Sequence, residues 1–331
     1  MSDASKTMED FSYDDVTPMP FNEPKGSLCR IAYSAEYTTV MGIIRAFLSV
    51  KEYSERALAA TAAAIELNPA HYTVWSYRYD IIKNISESLE SDTKRQQYID
   101  EELEYNESVA INYPKNYQIW NYRELLIKLH PNPTPKKEFP LLEAIIIEDN
   151  KNYHTWAYRT WLVSYFNLFD EESEINFVNI LLAKDIRNNS AWNFRFFLKF
   201  NNNNRKLTEE EIEKEISHVK NSISHAPQNS SSWNYLTGIY DRTGKDISEL
   251  EEFCLEFGSI DDILIEDLRT NDGEDNSDDV EVIVKSVYAV ELLSNIYAKE
   301  KKAKSLKALE ILTEIDPIRE NYWSYKRSLL A

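Results

Sequence analysis

Two short runs, Lys115-Asn-Tyr117-Gln118 and Lys151-Asn-Tyr153-His154, each put a cation, a phenol and a further polar side chain just ahead of a tryptophan. The cation stands five residues before Trp120 and Trp156, and Arg187 holds that place before Trp192. Elsewhere the place is taken by Ala70, Gln228 and Ile318. If each tryptophan rides on a helix that starts just behind the cation, the cation sits where free N–H groups and the positive end of the helix dipole already favour an anion. Stacked ends of this kind would make a cationic edge able to bind a phosphate or carboxylate. On charge alone, ordinary solvated loop lysines remain the competing reading. No complete active site accompanies the edge. The five histidines, His71, His130, His154, His218 and His225, show no metal-ligand spacing with cysteine, and His71 and His225 fall near turns, as solvent-facing or capping residues would. A nucleophile elbow, a Gly-rich phosphate loop and a paired-carboxylate motif are all missing. The chain reads as the binding half of a site that a partner completes.

The elements that must carry these residues follow from the tryptophans. Trp75, Trp120, Trp156, Trp192, Trp233 and Trp323 lie 45, 36, 36, 41 and 90 residues apart. Two residues after each comes an aromatic (Tyr77, Tyr122, Tyr158, Phe194, Tyr235, Tyr325), and six after an aliphatic. Three after comes arginine in four copies, Arg78, Arg123, Arg159 and Arg195. Such periods mark a helical repeat array in which each unit is a helix, a turn and a second helix bearing the tryptophan. The predicted fold is all-α: a solenoid of helix pairs. Asn68-Pro69 would end the first helix and begin the next, with Asn as cap and Pro in the first turn. Tyr72, Trp75, Tyr79 and Ile82 form the stripe expected of that second helix. Trp and Arg three residues apart share a face. They serve either to stack one repeat on the next, with Arg pairing to a neighbouring carboxylate, or as a peptide-binding ladder of arginines. The 90-residue gap implies a degenerate unit, for which 280–299 supplies a helix. Residues 1–27 read as an extended, Pro-containing arm. Residues 28–331 read as one domain of about seven repeats, with an acidic loop insertion near 268–279.

Composition bounds the function. Gly is 6 of 331 residues, too few for a turn-rich β fold. A net charge of −19 offers no general basic field for nucleic acid or anionic membranes. Two cysteines, Cys29 and Cys254, cannot frame a disulfide scaffold, and neither a signal peptide nor a membrane span is evident. A soluble cytoplasmic protein is expected.

The strings at 114–120, 149–156, 187–193 and 232–238, with the arm segment Tyr13-Asp-Asp-Val-Thr-Pro-Met-Pro20, closely resemble the α subunit of protein farnesyltransferase and type I geranylgeranyltransferase. The resemblance covers roughly residues 11–331. It implies a right-handed superhelical crescent of antiparallel helix pairs wrapped around a β subunit that carries the catalytic zinc and most of the pocket, so that this chain binds no metal itself; magnesium is a further candidate ion for the diphosphate. It implies transfer of a farnesyl or geranylgeranyl group from its diphosphate to the cysteine of C-terminal C-a-a-X proteins such as small GTPases, with lipid length set mainly by the β subunit. The position of Lys115 is then the diphosphate lysine. Tyr117 lies beside it, Gln118 contacts the substrate carboxylate, and Tyr153 and His154 line the pocket. Lys151 and Arg187 match no catalytic position of the family. The α subunit of Rab geranylgeranyltransferase has similar repeats and stands as an alternative, although Gln118, Tyr153 and the arm fit the C-a-a-X enzymes better. A non-enzymatic TPR-like scaffold is the alternative from another class; its 34-residue period disagrees with these spacings.

Overall fold

The computed structural model describes residues 6–21, 26, 28–29, 31–202, 205–261 and 284–330. Among them the regular structure is helical, apart from a single bridge between Gly258 and Val284. The chain forms two compact units, Met1–Asn167 and Leu168–Ala331.

The first unit holds α1 (Ala35–Val50) and three hairpins: α2 (Glu55–Leu67) with α3 (Tyr72–Ser88), α4 (Asp92–Asn112) with α5 (Tyr117–Leu129), and α6 (Phe139–Glu148) with α7 (Tyr153–Phe166). The second holds α8 (Glu172–Lys184) with α9 (Asn189–Phe200), α10 (Glu209–His225) with α11 (Ser230–Thr243), α12 (Glu251–Leu255) with α13 (Val287–Tyr297), and α14 (Lys302–Ile315) with α15 (Glu320–Leu330). Helix α13 is the helix expected within 280–299, and the predicted acidic insertion at 268–279 lies outside the described residues. The arm is tied down. Tyr13 Oη donates to the Arg56 carbonyl at 2.8 Å, and Arg45 Nε donates to the Met19 carbonyl at 2.8 Å. Where the arm crosses α1, a Cβ on Gly42 would come 2.9 Å from Pro18 Cβ, so only glycine admits so close a crossing.

Each tryptophan-bearing helix starts later than the Asn-Pro reading predicts. Asn68 accepts from Ala70 N at 3.2 Å and makes a turn rather than a cap, and α3 begins only at Tyr72. The cap residue is the one four before the tryptophan: His71, Asn116, Asn152, Asn188 and Asn229. The proline position has a different job. The indole Nε1 of Trp75, Trp120 and Trp233 donates to the carbonyl of Pro69, Pro114 and Pro227, each at 2.8 Å. Trp156 and Trp192 do the same to Asn150 (3.0 Å) and Ile186 (2.8 Å). A Pro residue still has its carbonyl, and that is the group used. The next hairpin often grips the same oxygen: Asn152 Nδ2 on Pro114 (3.2 Å), Asn229 Nδ2 on Ile186 (2.8 Å) and Ser286 Oγ on Pro227 (2.6 Å).

The buried stripe of α3 is also wider than the predicted one. Val74, Trp75, Tyr77, Arg78, Ile81 and Ile82 are buried, whereas Tyr72 is 69% exposed. A helix packed on both its own partner and the neighbouring hairpins needs a broad face, and its first turn projects beyond them.

The arginines stack repeats. Arg78 clasps Glu102 of the next hairpin through Nε (2.6 Å) and Nη2 (2.8 Å), and Tyr122 Oη donates to the same carboxylate at 2.8 Å. Arg123, Glu138 and Tyr158 repeat this at 2.6, 3.0 and 2.8 Å. Arg195, Glu215 and Tyr235 repeat it in the second unit. All these groups are buried. They make the structural reading of the arginines the correct one and leave none of these three for a peptide ladder. Each glutamate, with buried Glu174, stands 18 residues before its hairpin's tryptophan. The aromatic rings stack in step: Trp75 on Tyr122, Trp120 on Tyr158 and Trp192 on Tyr235, with centroids 4.9, 5.3 and 4.9 Å apart.

This ladder sets an acid limit. Burial alone would raise the pKa of Glu215, but the hydrogen bond and charge of Arg195, aided by Tyr235, outweigh it and hold the carboxyl below its ordinary value. A depressed folded pKa stabilises the fold above the unfolded carboxylate value of about 4.3, and that stability is lost as pH falls through the folded value. The stability deficit of Glu215→Gln against wild type should be largest at neutral pH and shrink toward about pH 3. Denaturant titrations at both pH values check this, and a constant deficit would contradict it.

Candidate functional site

The five predicted site residues all lie in the first unit, at the N-terminal ends of α5 and α7. Lys115 occupies the turn before α5, and Tyr117 and Gln118 open that helix; Tyr153 and His154 open α7. The two turns are fastened together. Pro114 O, next to Lys115, receives both Trp120 Nε1 and Asn152 Nδ2, and Lys115 Nζ lies 3.1 Å from Asp149 Oδ2 at the end of α6. Asp149 also accepts from Lys151 N at 3.2 Å. The Lys115 hydrogen bond, with that backbone bond, holds the Asp149 carboxyl below its usual range.

The rim is open. The Lys115 side chain is 77% exposed, Tyr117 58% and Tyr153 76%. Gln118 is buried, and its Nε2 donates to Ala70 O of the preceding turn at 2.7 Å. His154 is half-buried, its ring edge-on to Tyr153 with centroids 5.5 Å apart. None of the five lines the cavity of about 240 Å³ beside the first hairpin, which is formed by residues such as Phe21, Tyr37, Arg45 and His71. His71, expected to face solvent or cap, is half-buried with Nδ1 lacking a hydrogen-bond partner, and burial lowers its pKa.

The two lysine turns differ in one respect that sequence spacing hides. At α7, Asn152 Oδ1 accepts from His154 N (3.0 Å) and Thr155 N (3.2 Å), so the helix end beside Lys151 is already capped. At α5, Asn116 makes no side-chain cap bond. Ile119 N turns back onto Asn116 O at 3.3 Å, and the amides of Tyr117 and Gln118 keep their donor capacity beside Lys115. Arg187 resembles Lys151: Asn188 caps α9 at Ser190 N (3.0 Å) and Ala191 N (3.2 Å). Asn152 and Asp149, which fix the Lys115 turn, were absent from the predicted site. The recurrence of Asn four before the tryptophan would have pointed to the first, and Asp seven before it, at Asp149, Asp185 and Asp316, to the second.

Among the described residues no three or more His, Cys, Asp or Glu side chains are grouped to hold a metal. Cys254 is buried, and burial pushes its thiol up to about 12. No described helix is long and apolar enough to cross a membrane.

Stacked helical hairpins keyed by Trp and Arg, with a polar rim at the hairpin turns, define an α-helical repeat protein. The family model for the protein prenyltransferase alpha subunit repeat matches residues 54–85, 99–130, 135–166 and 171–198. A Candida albicans protein farnesyltransferase/geranylgeranyltransferase type-1 subunit alpha is 40% identical over 328 residues, 97% of this chain and 98% of that protein. The Schizosaccharomyces pombe protein of the same description is 49% identical over 232 residues, 70% of this chain and 74% of that one. Among solved structures, Candida albicans protein geranylgeranyltransferase-I complexed with GGPP superposes with a TM-score of 0.82 at 37% identity, covering 97% of this chain and 99% of that one. The chain belongs to the family of protein farnesyltransferase/geranylgeranyltransferase type-1 alpha subunits. Similarity to the type-2 (Rab-type) alpha subunit of Saccharomyces cerevisiae is confined to 86 residues, 26% of this chain.

Proposed function

We propose that this chain acts as one superhelical domain with a β subunit, transferring farnesyl, geranylgeranyl or both from the isoprenoid diphosphate to the cysteine of C-terminal C-a-a-X proteins, small GTPases among them, in the cytoplasm. The observation that carries this reading is the open rim. A lysine fixed by its turn, a helix end without a side-chain cap, two exposed tyrosines and a buried amide stand together on an open rim, as half of a shared site would. Zinc would belong to the β subunit, as no cluster among the described residues fits it, and magnesium would accompany the diphosphate; neither enters the steps below.

The C–O bond at C1 of the isoprenoid breaks and the S–C1 bond forms from the cysteine thiolate. Pyrophosphate leaves with the bonding pair, so negative charge grows on the bridging oxygen. An ammonium beside that phosphate, together with α5 amides, is stabilising in proportion to the charge and therefore acts most in the transition state. An amide NH2 has two donors. Gln118 uses one on Ala70 O, and the other is assigned to the peptide carboxylate. Tyr117, Tyr153 and His154 form the wall around both.

Co-expression with candidate β subunits tests the reading. Transfer to a C-a-a-X peptide should require the heterodimer, and the purified chain alone should be inactive and prone to aggregate, since the rim exposes aromatic surface. Assays with both diphosphates identify the lipid. Transfer by the lone chain at rates like the complex would contradict the proposal.

A further inference from the structure

Building on the reading of Lys115 as the diphosphate cation, we propose that Asp149 is a positioning residue that competes with the ground-state diphosphate for Lys115. The lysine then gives its charge to the phosphate chiefly as the C–O bond breaks. The pair is asymmetric. Asp149 ends α6, is only 35% exposed, and has Oδ1 tied to Lys151 N at 3.2 Å. Its other oxygen, Oδ2, meets Lys115 Nζ at 3.1 Å. Lys115 has a clamped backbone but a side chain 77% exposed on a flexible stem. The carboxylate is therefore the fixed member and the ammonium the one that swings. An exposed pair of this kind is weak enough to exchange. A bound diphosphate must draw the ammonium from a carboxylate that already neutralises it, so the gain on ground-state binding is small. When pyrophosphate charge rises during bond cleavage, the exchange becomes favourable. The arrangement converts one lysine from a uniform binder into a group that acts on the transition state.

The test is equilibrium binding of farnesyl diphosphate and of geranylgeranyl diphosphate, without peptide, to the assembled heterodimer, beside single-turnover transfer. Asp149→Asn keeps an acceptor for Lys151 N and removes the charge; Asp149→Ser keeps an acceptor as well and guards against an effect of Asn itself. Both should bind the isoprenoid diphosphate about two- to fivefold tighter, the scale of one exposed ion pair. Lys115→Ala should change that binding by no more than about threefold in the wild-type background, and by more in the Asp149→Asn background. The double variant should bind as Lys115→Ala does. Unchanged or weaker binding in the Asp149 variants would overturn the inference, and weaker binding would mean that the carboxylate aids the lysine. If instead Lys115→Ala leaves single-turnover transfer unchanged, it is the reading of Lys115 that fails, whatever Asp149 does.

Discussion

Glu102→Ala in the assembled heterodimer should cost about 3–5 kcal/mol of stability, the scale of removing one partner from a buried ion pair. Glu102 is 5% exposed and receives both arms of Arg78, itself 4% exposed, together with the Tyr122 hydroxyl. Alanine leaves a buried guanidinium whose Nε and Nη2 lose their acceptor, while Nη1 keeps Leu58 O and Thr61 Oγ1 at 3.0 and 2.9 Å. The Tyr105 ring, 3.9 Å from the guanidinium carbon, cannot replace a carboxylate. The cost comes from the orphaned charge, so removing the whole polar set should recover most of it. The triple variant Arg78→Met, Glu102→Leu, Tyr122→Phe is expected near wild-type stability. Denaturant unfolding followed by tryptophan fluorescence reads both, and a Glu102→Ala cost below about 1 kcal/mol would place the ladder among ordinary surface pairs.

Lys115→Ala in the same complex should slow the chemical step by roughly 10²-fold, the scale of deleting one preorganised donor to developing charge. Ground-state binding of the isoprenoid diphosphate should fall far less, because Asp149 already offsets the lysine there. Lys151→Ala should cost little. Lys151 holds the same place five before its tryptophan, but its helix end is capped by Asn152, whereas the end beside Lys115 is not. Two lysines equal in sequence pattern are thus unequal in the electrostatics of the amides behind them.

The repeat column was legible because the tryptophan, the aromatic two after it and the arginine three after it sit on one helix, where spacing translates directly into a shared face. The carboxylates that arginine needs were not read. Glu102 and Glu215 lie on the other helix of the next hairpin and Glu138 at the N-cap of that helix, 24, 20 and 15 residues from Arg78, Arg195 and Arg123, so no fixed arginine-to-glutamate interval exists. The constant interval is glutamate to tryptophan, within one hairpin. The Asn-Pro turn was misread for a related reason. Local propensity favours Asn as cap and Pro in the first turn, but the side-chain bond from the indole to the proline carbonyl six residues earlier holds that segment as a turn. Of the candidate site, Lys115, Tyr117, Gln118, Tyr153 and His154 could be placed on a rim from spacing alone. What the spacing could not supply was the clamp from Asn152 and the counter-charge of Asp149, which arise only when two turns pack side by side.

The central claim is that Lys115, alone among the cations in its column, works on the departing diphosphate. Single-turnover prenyl transfer by the heterodimer, with Lys115→Ala and Lys151→Ala compared at saturating isoprenoid diphosphate, tests it most directly. The account predicts a loss of roughly 10²-fold for the first and within about twofold of wild type for the second. Equal rates in both variants and the wild type would reduce Lys115 to a solvated turn lysine, and equal large losses would assign the anion site to the whole edge instead of to one residue.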